Sequence, residues 1–204
     1  MSIIFIRHGE TTLNVARTLQ PADTPLSTNG LAQAHAVAAR LATLGIARIV
    51  SSDLPRALQT TQAIAAATGA SAQTTPLLQE RNFGDLRGRS YDELGFNPLL
   101  MDDAPPGGES APAFRARVAL AFAHAVRLRA GLPAALAVVT HGLVIRMIIE
   151  RHLALAPGQA IPAQVRNTSL TIVAAQPPHG AELIDCTNHL ESALRHDERS
   201  LSGG

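Results

Sequence analysis

The sequence contains no lysine, and all 17 of its basic residues are arginine. Alanine is unusually abundant as well, so the bias reads as GC-rich codon usage, and an arginine here informs only through its position. A single cysteine, Cys186, excludes an internal disulfide framework and suits a reducing compartment, with the cytoplasm as the expected location. No apolar run approaches the length of a membrane span. The opening Met1-Ser2-Ile3-Ile4-Phe5-Ile6-Arg7 has no basic stretch before its apolar residues, so no secretory signal is expected there. A formal net charge of only +1 gives no reason to expect nucleic acid or an anionic membrane as a partner. Internal repeats and Gly/Ser linkers are missing too. So are metal-ligand spacings such as His-Glu-x-x-His and cysteine clusters, which argues against a metal-dependent hydrolase; no metal and no cofactor are expected.

What is present is an ordinary globular composition, 46% apolar and 16% charged over 204 residues, enough for one domain with a buried core. Residues 1–190 are expected to form that domain and the charged stretch 191–204 to fray. Strand and helix signals alternate. Ile3–Ile6 suits a short buried strand. Ser27 caps a helix carrying Leu31, Ala34, Ala38, Leu41 and Leu44 on a rough helical spacing. Ala47–Val50 predicts a second strand, followed by a helix to about Thr68, and Gln73–Thr75 a weak third. Between Glu80 and Gly108, repeated glycines and prolines predict a long irregular excursion, a length that usually serves function or is disordered. Ser110 then caps a helix presenting Phe114, Val118, Phe122 and Ala125 to the core. Ala135–Thr140 predicts a buried strand, His141-Gly142 the start of another helix, and Leu170–Ala174 and Glu182–Ile184 a final pair of strands. The alternation predicts an α/β fold, a three-layer α/β/α sandwich around a mostly parallel sheet.

Three polar clusters fall at one recurring place, the C-terminal end of a predicted strand just before a helix: Arg7-His8, Ser51-Ser52-Asp53 with Arg56, and His141-Gly142. Ligands of open parallel sheets bind outside the carboxyl ends of strands, where helix N-termini offer unpaired N–H groups to anions. Two histidines and two arginines meeting there describe a phosphate pocket, since the arginine fork matches phosphate oxygens in pairs. Each group alone has an ordinary explanation as loop, cap or helix-face residue. Their coincidence on one sheet edge is what carries the reading.

At this point the sequence resembles the histidine phosphatase superfamily, the phosphoglycerate mutase-like proteins. The resemblance runs through Arg7-His8-Gly9-Glu10-Thr11 with Asn14, Asp23-Thr24-Pro25-Leu26-Ser27 with Gly30, and Ser51-Ser52-Asp53-Leu54-Pro55-Arg56-Ala57. It continues in Leu78-Gln79-Glu80, Pro106-Gly107-Gly108-Glu109-Ser110 and Thr140-His141-Gly142. It implies that His8 is a nucleophile forming a phosphohistidine, and that Arg7, Arg56 and His141 bind the phosphoryl oxygens. It further implies that Glu80 is general acid and then base, and that Thr11, Asn14 and the backbone at Gly142 line the pocket. Chemically, His8 needs one ring N–H held by an acceptor, here expected to be a backbone carbonyl, and two adjacent arginines are expected to depress its pKa. Glu10 receives no catalytic role.

The implied activity is phosphomonoester hydrolysis on a small phosphorylated metabolite. Two alternatives stand beside it: a phosphoglycerate mutase and a non-catalytic phosphate- or phosphopeptide-binding module. The segments Thr18–Ala22 and Asp85–Gly88, and Leu143, depart from the family pattern near the pocket mouth, so the resemblance does not fix a substrate. Arg81, Arg87 and Arg89 of the excursion are candidates for contacting a second anionic group on it. Oligomeric state stays open, with a homodimer among the options.

Overall fold

A computed structural model describes residues 2–191 and Leu194, so the expectation of a frayed 191–204 tail falls almost wholly outside the described residues. In chain order the elements are β1 (Ser2–Arg7), α1 (Thr12–Val15), α2 (Thr28–Ala42), β2 (Ile46–Ser51), α3 (Pro55–Thr68) and β3 (Ser71–Thr74). They continue with α4 (Tyr91–Leu94), α5 (Ala111–Ala130), β4 (Ala135–Thr140), α6 (Gly142–His152), β5 (Leu170–Ala174) and β6 (Ala181–Cys186).

The strands form one six-stranded sheet in the order β3-β2-β4-β1-β5-β6. The pairings β2–β3, β2–β4 and β1–β4 are parallel, whereas β1–β5 and β5–β6 are antiparallel. The period of two along the central strands divides the core between two faces. Ile3, Phe5, Leu136 and Val138 meet Phe114, Val118, Phe122 and Ala125 of α5 and Val144, Ile145, Ile148 and Ile149 of α6. Ile4, Ile6, Ala137 and Val139 meet Val37, Ala38 and Leu41 of α2 and Ala57 and Ile64 of α3. The result is the expected three-layer sandwich. Every fully buried aliphatic or phenyl side chain contributes about 1.5–3 kcal/mol to it.

Local signals place the helices. The Ser27 and Ser110 hydroxyls accept from the N–H groups of Gly30 and Ala113, as caps should. Pro55 supplies a preset φ in the first turn of α3, and Gly69 ends that helix at φ 69°. Not all of the helical spacing read for α2 is core: Leu31 and, just past the helix, Leu44 are exposed, while Ala34, Ala38 and Leu41 are buried. The third strand lies at Ser71–Thr74, slightly before its expected place, and is exposed along its length because it is the sheet edge.

The excursion after Glu80 is more ordered than its glycines and prolines suggest. It holds two 3-10 turns (Gly84–Leu86 and Pro98–Leu100) and α4, whose Ser90 and Glu93 form a reciprocal capping box. It is zipped to the segment after α1: the N–H of Gly88 donates to Leu19 O at 2.6 Å, Leu19 N–H to Arg89 O at 3.0 Å, and Tyr91 N–H to Arg17 O at 3.0 Å. Among the described residues no helix is long and apolar enough to cross a membrane.

Candidate active site

β1, β4 and β2 are neighbours and run parallel, so their carboxyl ends open side by side. β1 delivers Arg7 and His8, β4 delivers His141, and β2 delivers Ser52 with Arg56 one turn later in α3. Gly9 and Gly30 hold the loop after β1 against α2; a Cβ on Gly9 would stand 2.4 Å from Gly30 O, and one on Gly30 2.0 Å from Glu10 O. Glu10 is spent on this junction, its carboxylate accepting from Ser27 Oγ at 2.8 Å and Asn29 Nδ2 at 3.0 Å.

His8 is buried, and its Nδ1 lies 2.7 Å from Gly9 O. A carbonyl can only accept, so Nδ1 carries the proton and Nε2 presents its lone pair. Nε2 itself has no hydrogen-bond partner in the structure. The ring's pKa sits well below 6.5, first because burial disfavours the imidazolium and then because Arg56 and Arg7 repel it; the Gly9 carbonyl opposes. The sequence expectation credited the arginines, but desolvation is the larger cause.

The His141 ring lies 5.1 Å from that of His8, centroid to centroid. Its Nε2 is 2.9 Å from Ser52 Oγ, its Nδ1 is buried without a partner, and its pKa is lowered by burial and then by Arg56. Arg7 is buried and donates from Nη1 to Val165 O at 2.6 Å. Arg56 reaches Pro21 O at 3.4 Å, leaving Nε buried and unpartnered. Burial lowers the Arg56 pKa to about 10, partly offset by the attraction of Glu80, so the guanidinium keeps its charge at neutral pH.

Glu80 accepts from the N–H groups of Arg81 and Leu143, both at 3.0 Å. Burial pushes its pKa up to about 7 against those two hydrogen bonds and the pull of Arg56 and Arg7. Such a carboxyl can give and take a proton near neutral pH.

Thr11 and Asn14 cap α1 reciprocally at 3.0 and 3.1 Å, and Thr11 Oγ1 also donates to Gln20 Oε1 at 2.9 Å. Asn14 Nδ2 and Gln20 Nε2 are buried without partners. Gly142 is buried and opens α6. Of the excursion's arginines, Arg81 is committed to Met101 O at 2.7 Å and Glu109 O at 3.2 Å, and Arg89 is exposed. Only Arg87 is placed close enough to Arg56 to repel its charge.

Sequence reasoning missed Asn167, which donates to His8 O at 2.9 Å, beside Thr168, whose N–H donates to Arg7 O at 3.1 Å. They enter because β5 runs antiparallel and begins at the edge where β1 ends. Ser52 was recognised only as part of a cluster, without the contact to His141. Among the described residues, no three His, Cys, Asp or Glu side chains converge as a metal-ligand group.

The two buried histidines impose an acid limit on stability. Below pH 6.5 the unfolded chain takes up two protons at these positions that the native state refuses, so stability falls with acidification. Glu80 acts in the opposite sense between its ordinary value of about 4.5 and about 7, where the native state holds a proton the unfolded chain releases. The balance of these three groups is one proton, a slope near 1.4 kcal/mol per pH unit between about pH 6.5 and 5. The partly buried His152, its pKa also lowered by burial, adds in the same sense as the two histidines. Urea unfolding across that range should lose the His8 share, again about 1.4 kcal/mol per pH unit, in His8→Asn; equal slopes in the two proteins would refute the assignment.

The fold and this cluster define a buried pocket of two histidines, two arginines and a carboxyl at a parallel sheet edge, and sequence comparison names the family. A profile of the histidine phosphatase superfamily (branch 1) matches residues 3–184, and the chain belongs to that superfamily. A probable phosphoglycerate mutase, GpmB of Yersinia pestis, is 34% identical over 183 residues, spanning 85% of this chain and 84% of the relative. Among solved structures, YhfR of Bacillus stearothermophilus superposes with a TM-score of 0.79 at 25% identity, covering 93% of this chain and 99% of that one. A mycobacterial glucosyl-3-phosphoglycerate phosphatase solved with VO3 superposes with a TM-score of 0.72 at 27% identity, covering 85% and 90%. Relatives named as phosphatases and as a mutase support an enzyme.

Proposed function

We propose that the chain hydrolyses phosphomonoesters of a small metabolite through a phosphohistidine on His8, without a metal. The observation that carries the reading is a set of buried polar atoms with no partner: His8 Nε2, His141 Nδ1, Arg56 Nε and Asn14 Nδ2. Buried polar atoms left unpaired cost about 1–3 kcal/mol each, and a tetrahedral oxyanion offers each of them a complement. Three can donate to phosphoryl oxygens, and the fourth offers a lone pair to phosphorus.

In the first step the Nε2 lone pair attacks phosphorus, the ester P–O bond breaks, and Glu80 gives its proton to the departing oxygen. In the second, ionised Glu80 takes a proton from water, the water oxygen attacks phosphorus, and the N–P electrons return to Nε2 as orthophosphate leaves. Arg7, Arg56, His141 and Asn14 hold the equatorial oxygens throughout, with Thr11 and Gly142 shaping the pocket. The low pKa of His8 keeps the nucleophile neutral beside its arginines. Asn167 and Thr168 fix the His8 backbone from the β5 side.

The GpmB similarity favours a second reading, transfer between two hydroxyls of a phosphoglycerate. Chain length does not separate the two readings, since the match spans 84% of GpmB and 85% of this chain. A panel of phosphomonoesters including 3-phosphoglycerate, assayed with and without EDTA, separates the readings. We expect orthophosphate release unchanged by chelator. Isomerisation of 3-phosphoglycerate without phosphate release would establish the mutase, and loss of activity in EDTA would remove the metal-free mechanism. A cytoplasmic location and independence from nucleic acid and membrane remain part of this proposal.

A further inference from the structure

Glu80 lies in a stretch, Gln79–Phe83, that belongs to no helix or strand, although its carboxyl must meet a leaving oxygen closely. Two side chains from α5 and the loop before it hold that stretch on both sides. Arg117 donates to Leu77 O at 2.9 Å, Gln79 O at 2.7 Å and Glu80 O at 3.3 Å. Its Nε and Nη2 grip Glu109 at 2.9 and 2.7 Å, a forked pair between side chains only 19% and 16% exposed. Beyond Glu80, Glu109 carries the other half: its N–H donates to Asn82 O at 2.7 Å, its carbonyl accepts from Arg81 Nε at 3.2 Å, and its carboxylate from Asn82 N–H at 3.4 Å.

The five N–H bonds of the Arg117 guanidinium match those five acceptors, leaving none for a substrate. The guanidinium carbon stands 5.2 Å above the Phe114 ring, and Phe114 and Val118 are buried in the core beneath the sheet. Arg117 therefore ties a segment without regular structure to a long rigid helix.

We propose that Glu109 and Arg117 are positioning residues for the general acid, fixing the Glu80 backbone so that its carboxyl meets the leaving oxygen. This rests on the reading of Glu80 as that acid. A misplacement of about 1 Å at a reacting group can cost on the order of 100-fold in rate. A pair acting only on stability would lower all rates alike, whereas one acting through Glu80 as acid lowers kcat/KM, which reports the phosphoryl transfer to His8, only where the leaving group needs a proton. The second step, in which Glu80 is the base, is common to all substrates.

The discriminating probes are p-nitrophenyl phosphate, whose phenolate departs unprotonated, and β-glycerophosphate, whose alkoxide must be protonated. Both are assayed on the same preparations of wild type, Glu80→Gln, Arg117→Met and Glu109→Gln, so any loss of folded protein cancels in the ratio of the two kcat/KM values. We expect Arg117→Met to lower kcat/KM for β-glycerophosphate about 10- to 100-fold relative to p-nitrophenyl phosphate, with a smaller shift in the same direction for Glu109→Gln. If Glu80→Gln shifts the ratio and Arg117→Met does not, the pair is structural only and the proposal fails. If Glu80→Gln leaves the ratio unchanged, the acid assignment itself falls and the positioning role with it.

Discussion

Replacing His8 by alanine is expected to lower kcat for any phosphomonoester by at least about 10,000-fold, the scale on which loss of a covalent nucleophile is felt. Nothing else in the pocket can take its place. His141 shares the burial and the low pKa, but its Nε2 is engaged with Ser52 and its Nδ1 serves in this mechanism as a donor to the phosphoryl oxygens, whereas a free lone pair aimed at phosphorus is what the His8 tautomer supplies. Removing the ring deletes one hydrogen bond, to Gly9 O, while the His8 backbone keeps its bonds to Thr140 and Asn167, so the variant should fold. Its thermal transition checks that. Rapid quench of the wild type with labelled substrate should trap a phosphoryl group that is stable to alkali and released by acid, as a P–N bond requires, and His8→Ala should trap none. Retained turnover in His8→Ala would defeat the mechanism. A wild type that binds orthophosphate or a phosphopeptide yet turns over no ester would leave the binding-module reading standing.

The parts of this site that were legible in the sequence share a property: their signal is local. Ala135–Thr140 appears in the structure as read, because a strand covered on both faces is a continuous apolar run. Arg7, His8, Arg56 and His141 converge because each follows a strand of one parallel set, and strand ends can be read from residue pattern alone. Asn167 was invisible for the complementary reason. Its place beside His8 depends on β5 turning antiparallel, and strand direction leaves no mark in residue order. The four-residue α4 could have been found, since Ser90 and Glu93 stand at capping-box spacing, but the surrounding glycines and prolines masked it.

The charges tell a similar story. A sequence can place Arg7 and Arg56 near His8, yet the chief cause of its low pKa is burial, a quantity that only the packed fold assigns. The same holds for Arg81, which the sequence offers as a ligand and the structure spends on Met101 and Glu109. Arg87, by contrast, retains a place near the pocket beside Arg56.

The second large effect is expected in Glu80→Gln. With an alkyl phosphate, kcat should fall about 100- to 10,000-fold, the usual yield of general acid catalysis. The change in pH profile says more than the magnitude. Glu80 must be protonated to give its proton, so kcat/KM of the wild type should decline as pH rises through about 7, its value in the free protein. Its carboxyl is held there by burial, so a bound phosphate dianion can only raise it further, and the same decline in kcat should lie at higher pH than in kcat/KM. On the acid side the free nucleophile persists well below pH 6.5, because burial and the two arginines refuse His8 a proton. Glutamine keeps the size of the side chain but neither donates an acidic proton nor titrates, so the alkaline decline should vanish from the variant along with most of the rate. A variant that retains the decline near pH 7 would assign it to another group and would leave Glu80 a carboxylate with no part in the chemistry.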